Sequence, residues 1–226
     1  MAVHEGHRQR LRAHLVEGGL DSFSDVQTLE LLLGYAIARK DVNPLAHALL
    51  NKFGSLPNVL DASIQELQAV PGIGENAAVL LSLLPQLARR YAIAKNQVGT
   101  ILDTTDKVGN YLVPFFLDAT EEQVYLLCLD AKCKVLDCRK LFNGCVNTVA
   151  VSVRRVMEEA LRHSASSVVL AHNHVSGLAL PSREDEDTTR TVRNALETVG
   201  IVLFDHIIVA GGDFVSMAQS GMMARL

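Results

Sequence analysis

The stretch Val169-Leu-Ala-His172-Asn-His174-Val-Ser-Gly177-Leu-Ala-Leu-Pro181-Ser182-Arg-Glu-Asp185 decides how the rest of the chain is read. It closes an apolar run, Ser167 to Ala171, with the pattern of a strand buried on both faces. His172 and His174 stand two apart, and the strand period of two sends both imidazoles to one face. A loop carrying Gly177 follows, and Pro181-Ser182 opens a helix reaching Val199. Asp185 falls in the first turn of that helix, within reach of the histidines. Two imidazoles and a carboxylate leave the fourth corner of a tetrahedron open for water, the ligand set of a catalytic zinc site. The same letters have plain structural readings. Ser182-x-x-Asp185 is a capping box, Glu184, Glu186 and Asp187 are acids favoured near a helix start, and a histidine pair at a strand end also suits a surface. A capping box and a metal site can share Asp185.

Upstream and downstream, strands and helices alternate. Val124 to Leu129 is an uninterrupted apolar run, Asp130-Ala-Lys132 a turn, and Val135-Leu136 the start of a returning strand. Val151 to Leu161 reads as a helix, and Ile201 to Phe204 and His206 to Ala210 as strand material. This alternation predicts an α/β or α+β domain with a largely buried sheet. Before about Tyr91 the period is helical instead. Leu29, Leu32, Leu33 and Ala36 share a face, as do Leu80, Leu81, Leu84 and Leu87. Four or five short helices are expected there, with the domain boundary near residue 97.

Within that half, Ser63-Ile-Gln-Glu66-Leu-Gln-Ala-Val-Pro71-Gly72-Ile73-Gly74-Glu75 reads as helix, tight turn, helix. Ser63 and Glu66 form a second capping box. Gly72 and Gly74 allow the turn, and Ile73 plugs the core. Such a helix-hairpin-helix can hold a DNA phosphate on backbone amides. Glu75 follows where a base would help, and no Lys or Arg comes until Arg89. Weak DNA contact through Gly72, Ile73 and Gly74 therefore competes with a packing hairpin or a protein-interaction module.

Composition sets the bounds. The 226 residues are 49% hydrophobic and 20% charged, which excludes wholesale disorder. The net charge of −4 excludes a general polyanion binder. No apolar run approaches the ~18 residues of a membrane span. The opening residues MAVHEGHRQR lack a leader's apolar core, so a cytoplasmic location is expected. Cys128, Cys133, Cys138 and Cys145 have no metal-ligand spacing and read as reduced thiols.

His-x-His, seven residues, Ser, two residues, Asp resembles the signature of the JAMM (MPN/JAB) metalloprotease-like domains. Asn173 between the histidines and Ser176-Gly177 after them are similar to the bacterial RadC-like (UPF0758) family. Phe142-Asn-Gly144 with Asn147, Arg154 with Val156, and Asp205-His206-Ile-Ile-Val match further segments of that family. Val175, Val153, Cys145 and Arg155 depart from it, and none removes a ligand.

The resemblance implies a small all-helical N-terminal domain over 1–97. It implies a C-terminal three-layer α-β-α sandwich with a mixed sheet over 98–226, an α + α/β chain overall. It further implies one zinc per chain on His172, His174 and Asp185. An upstream glutamate, Glu122 or its neighbour Glu121, shuttles the proton, with Glu158 and Glu159 more distant choices. Ser182 donates to the oxyanion, and the substrate is a peptide or protein. His206 takes a structural or supporting role. The family's repair label implies the competing class, a DNA-associated factor whose zinc is structural or acts on nucleic acid.

Overall fold

The computed structural model describes residues 3–95, 98–117, 119–144, 152–175 and 177–225. The chain divides into two compact units, Met1–Ala88 and Arg89–Leu226, and the division falls inside a helix rather than near residue 97.

The first unit is all helical: α1 (Val3–Gly18), α2 (Asp25–Ala36), α3 (Asn43–Phe53), α4 (Leu56–Asp61), α5 (Ile64–Gln68) and α6 (Glu75–Lys95). The sequence shows why the helices start where they do. Ser24, Ser55 and Ser63 each cap a first turn through the side-chain oxygen, and Pro44 and Pro57 sit where a missing N–H costs nothing. Leu29, Leu33, Leu49, Leu67, Ala78 and Leu81 form the fully buried centre. The α5–α6 turn belongs to this core. Ile73 is buried, and Gly72 takes φ +95°, where a Cβ would come within 2.8 Å of Leu45 Cδ2.

The second unit begins with α7 (Thr105–Leu112) and a 3-10 turn, Val113–Phe116. Then come β1 (Gln123–Leu129), β2 (Val135–Asn143), α8 (Val153–Arg162), β3 (Ser167–Asn173), α9 (Arg183–Glu197), β4 (Val202–Ala210) and β5 (Asp213–Ser216). The sheet order is β2-β1-β3-β4-β5, with β3 and β4 parallel and the other neighbours antiparallel. The mixed sheet and its flanking helices are the expected architecture.

Alternation along the strands explains the layers. Tyr125, Leu127, Leu129, Val169 and Ala171 pack towards α7 and the 3-10 turn. Val124, Leu126, Cys128, Val168 and Leu170 pack towards α8 and α9. β4 breaks the alternation once. Its pairing with β3 slips between Val168/Val169, so Leu203 faces α8 and α9 while Phe204, Ile207 and Val209 face α7. That slip turns His206 to the α9 side. Neither α7 nor β5 was expected from the sequence. β5 is four residues long, and α7 is followed by Pro114 within its apolar stretch.

Candidate metal centre

β3 is the central strand, buried from Val168 to Asn173. Its even positions face α9, so His172 does too, and the N–H of His174 carries the ladder on to Val209 O at 2.9 Å. α9 presents one stripe to the sheet: Asp185, Thr189, Val192 and Leu196, at the i, i+4, i+7, i+11 spacing of a single helix face. The lower half of that stripe is apolar core and the upper half is polar. The strand end and the helix start therefore meet with imidazoles on one side and a carboxylate on the other.

The distances are short. His172 Nε2 lies 2.9 Å from His174 Nε2 and 3.1 Å from Asp185 Oδ1, and His174 Nε2 lies 3.4 Å from Asp185 Oδ2. A tetrahedral zinc site with bonds of about 2.0–2.1 Å separates its donor atoms by about 3.3 Å. The three side chains are thus spaced as three corners of such a site. They are the one group of its kind among the described residues. The donor chemistry agrees. His174 Nδ1 donates to the Leu178 carbonyl at 3.1 Å, which leaves a lone pair on the Nε2 that faces the cluster. Burial acts to raise the Asp185 carboxyl. Hydrogen bonding and charge from His172, with the bonds from Ser182, outweigh it and hold the group well below the usual carboxylate range. Lone pairs and a carboxylate turned towards one point suit a cation.

Ser182 caps α9. Its N–H and its hydroxyl both donate to Asp185 Oδ2 at 2.7 Å, and Asp185 N donates back to Ser182 Oγ at 3.1 Å. The hydroxyl proton expected on an oxyanion is spent here on orienting the carboxylate.

Glu122 lies just before β1. β1 runs antiparallel to β3 with Val124 opposite His172, so continuing the register places Gln123 opposite Asn173 and Glu122 opposite His174. Asn173 fixes this strand start. Its Oδ1 accepts from Gln123 N at 2.7 Å, its Nδ2 donates to Glu121 O at 3.2 Å, and Gly144 N donates to Glu122 O at 3.1 Å. Backbone bonds thus bracket Glu122 on both sides. The Glu121 side chain is exposed and accepts from Asn143 Nδ2 at 3.1 Å. Glu158 and Glu159 are drawn off into pairs with Arg154 and Arg162 on α8. A recess lined by Val113, Phe116, Leu117, Val175 and Val209 opens beside His174.

Two contributors have a role that the sequence did not assign. Asn173 enters the sequence reading only as the uncharged residue between the two histidines. Thr189 is found only by stepping four residues along the buried face from Asp185. Among the described residues the cysteines take no part. Burial, with Asp137 nearby, pushes the Cys128 thiol up to about 12, and Cys138 is pushed up by burial as well. Cys145, Asn147 and Ser176 lie outside the described residues. In the first unit, Gly72 and Gly74 are exposed around buried Ile73, and exposed Glu75 opens α6. No described helix is long and apolar enough to cross a membrane.

Comparison with known proteins agrees with the architecture. The RadC-like JAB domain family matches residues 102–222, and the UPF0758 N-terminal family matches residues 5–79. A UPF0758 protein of Variovorax paradoxus is 37% identical over 216 residues, 95% of this chain and 96% of the relative. One from Pseudomonas syringae pv. tomato is 35% identical over 215 residues, again 95% and 96%. One from Fusobacterium nucleatum is 32% identical over 228 residues, 97% of each chain. With both halves matched and the relatives spanned almost end to end, the chain belongs to the UPF0758 family, whose C-terminal half is a RadC-like JAB domain.

Proposed function

We propose that this chain hydrolyses an amide bond, in a peptide or an isopeptide, with one zinc ion held by His172, His174 and Asp185. Zinc in such a site supplies Lewis acidity, acidifying water and polarising the carbonyl under attack. The chain's own residues do the rest. Glu122 receives the proton of the attacking water on its carboxylate and delivers it to the leaving nitrogen. Asn173 holds the strand start on which Glu122 stands. Ser182 holds the Asp185 carboxylate through Oδ2, and serves an oxyanion only by rotating its hydroxyl away. The recess beside His174 leaves room for an apolar side chain of the substrate.

The observation that supports this reading is the β1–β3 register. It sets in line with the second histidine an acid whose carboxylate takes no hydrogen bond or ion pair among the described residues, while Glu121 is engaged elsewhere. The test is Glu122→Gln, with zinc content and turnover measured on the same sample. The substrate probe is a quenched-fluorescent peptide and isopeptide library first screened with the wild-type chain. Zinc should stay at about one equivalent while turnover falls ~10²–10⁴-fold, the usual worth of a general acid–base group. A variant that cleaves as fast as wild type, or a zinc-loaded wild type that cleaves nothing, overturns the reading.

A further inference from the structure

Behind the cluster lies a second, fully buried polar group. His206 on β4 is 1% exposed and Thr189 on α9 is 0% exposed. His172 Nδ1 is 2.8 Å from His206 Nε2, and His206 Nδ1 is 2.6 Å from Thr189 Oγ1. Thr189 Oγ1 in turn is 2.5 Å from the backbone carbonyl of Asp185, with Met217 Sδ at 3.5 Å as its other neighbour. The chain of contacts leaves one ligand and returns to the residue that supplies another.

We propose that His206 and Thr189 form a one-directional hydrogen-bond relay that locks His172 in its Nδ1–H form, so that its Nε2 is held ready for the metal. A carbonyl oxygen only accepts, so Thr189 spends its single proton on Asp185 O. Thr189 Oγ1 must then accept from His206, which puts a proton on His206 Nδ1. His206 is buried, and its two ring nitrogens meet Thr189 Oγ1 and His172 Nδ1, with no carboxylate bonded to it among the described residues to hold a second proton, so the ring carries that one proton. Its Nε2 is therefore an acceptor, and His172 Nδ1 must donate to it. The proton on His172 Nδ1 leaves Nε2, the atom 3.1 Å from Asp185 Oδ1, as the position that a metal ion takes in place of a second proton. His174 reaches the same form by a shorter route, through the Leu178 carbonyl. Ligating histidines ordinarily give their second N–H to a carboxylate, a carbonyl or water. Here one gives it to another histidine, which a helix hydroxyl sets.

The inference rests on the metal reading above for its purpose, but not for its geometry. Ring ¹⁵N–¹H correlation spectra of the metal-free wild-type chain should show His206 and His172 as Nδ1–H forms. His206 found as Nε2–H, or doubly protonated at neutral pH, overturns the relay. Competition with a chromophoric chelator for Zn²⁺ gives the second readout. Thr189→Val keeps the shape, removes the hydroxyl, and should weaken zinc about 10–100-fold. Thr189→Ser keeps the oxygen and should stay near wild type. A Thr189→Val chain that holds zinc as tightly as wild type overturns the relay, as does loss of affinity shared equally by Thr189→Ser. A wild-type chain that takes up no Zn²⁺ sinks the metal reading instead, and the tautomers then decide the relay alone.

Discussion

Of the three capping boxes among the described residues, two carry an acid three residues after the serine. At the start of α5, Ser63 donates its N–H and hydroxyl to Glu66 Oε2 at 2.9 and 2.7 Å, and Glu66 N returns a bond to Ser63 Oγ at 3.3 Å. At the start of α9, Ser182 and Asp185 make the same three bonds at 2.7, 2.7 and 3.1 Å. Locally the two are one object, a capping box satisfying orphan N–H groups. Their surroundings separate them. Glu66 is exposed, whereas Asp185 is partly buried with Oδ1 facing His172. A motif acquires chemistry when, with its structural bonds made, a polar atom is left over and others converge on it.

The contrast breaks most visibly at the acids. Asp185→Ala should take zinc from about one equivalent to none retained through gel filtration, while Glu66→Ala leaves it unchanged. Equal zinc in both variants would erase the distinction. Next come the serines. Ser63→Ala should cost ~0.5–2 kcal/mol of stability, the usual value of a cap, without touching zinc. Ser182→Ala should cost a similar amount and also weaken zinc about tenfold or more by freeing Asp185 Oδ2. Full zinc affinity with reduced turnover would instead assign the Ser182 hydroxyl to the oxyanion.

Acid sharpens the pair further. Hydrogen bonds from the Ser63 side chain, then its backbone, hold Glu66 below its ordinary value. Its support for the fold is therefore present above the unfolded value of about 4.3 and lost as pH falls through the lower folded one. Thermal melts of Glu66→Gln should accordingly fall less steeply than wild type below about pH 4.5. The smallest effect concerns the hairpin. If Gly72 to Gly74 touch DNA, one or two phosphates are engaged and the salt slope of binding to a duplex stays shallower than about −2. A steep slope would mark a basic surface elsewhere.

Much of this was legible in the residues. Apolar runs gave β1 and β3, the capping residues gave the starts of α5 and α9, and His-x-His with a helix-start acid gave the His172-His174-Asp185 cluster. Each depends on neighbours within one or two turns of chain, where periodicity and capping operate. Four features needed the tertiary structure. The slip between β3 and β4 turns His206 towards His172, and plain alternation from Leu203 would have turned it away. Thr189 becomes a relay only because α9 lies against β4. Asn173 brackets Glu122 only because β1 runs antiparallel to β3. Ser182 keeps its proton on Asp185. In each case a donor and an acceptor from different elements had to be brought within about 3 Å with known direction. Sequence fixes the period of each element by local sterics, but register between elements is set by long-range packing, and a one-residue slip reverses every face.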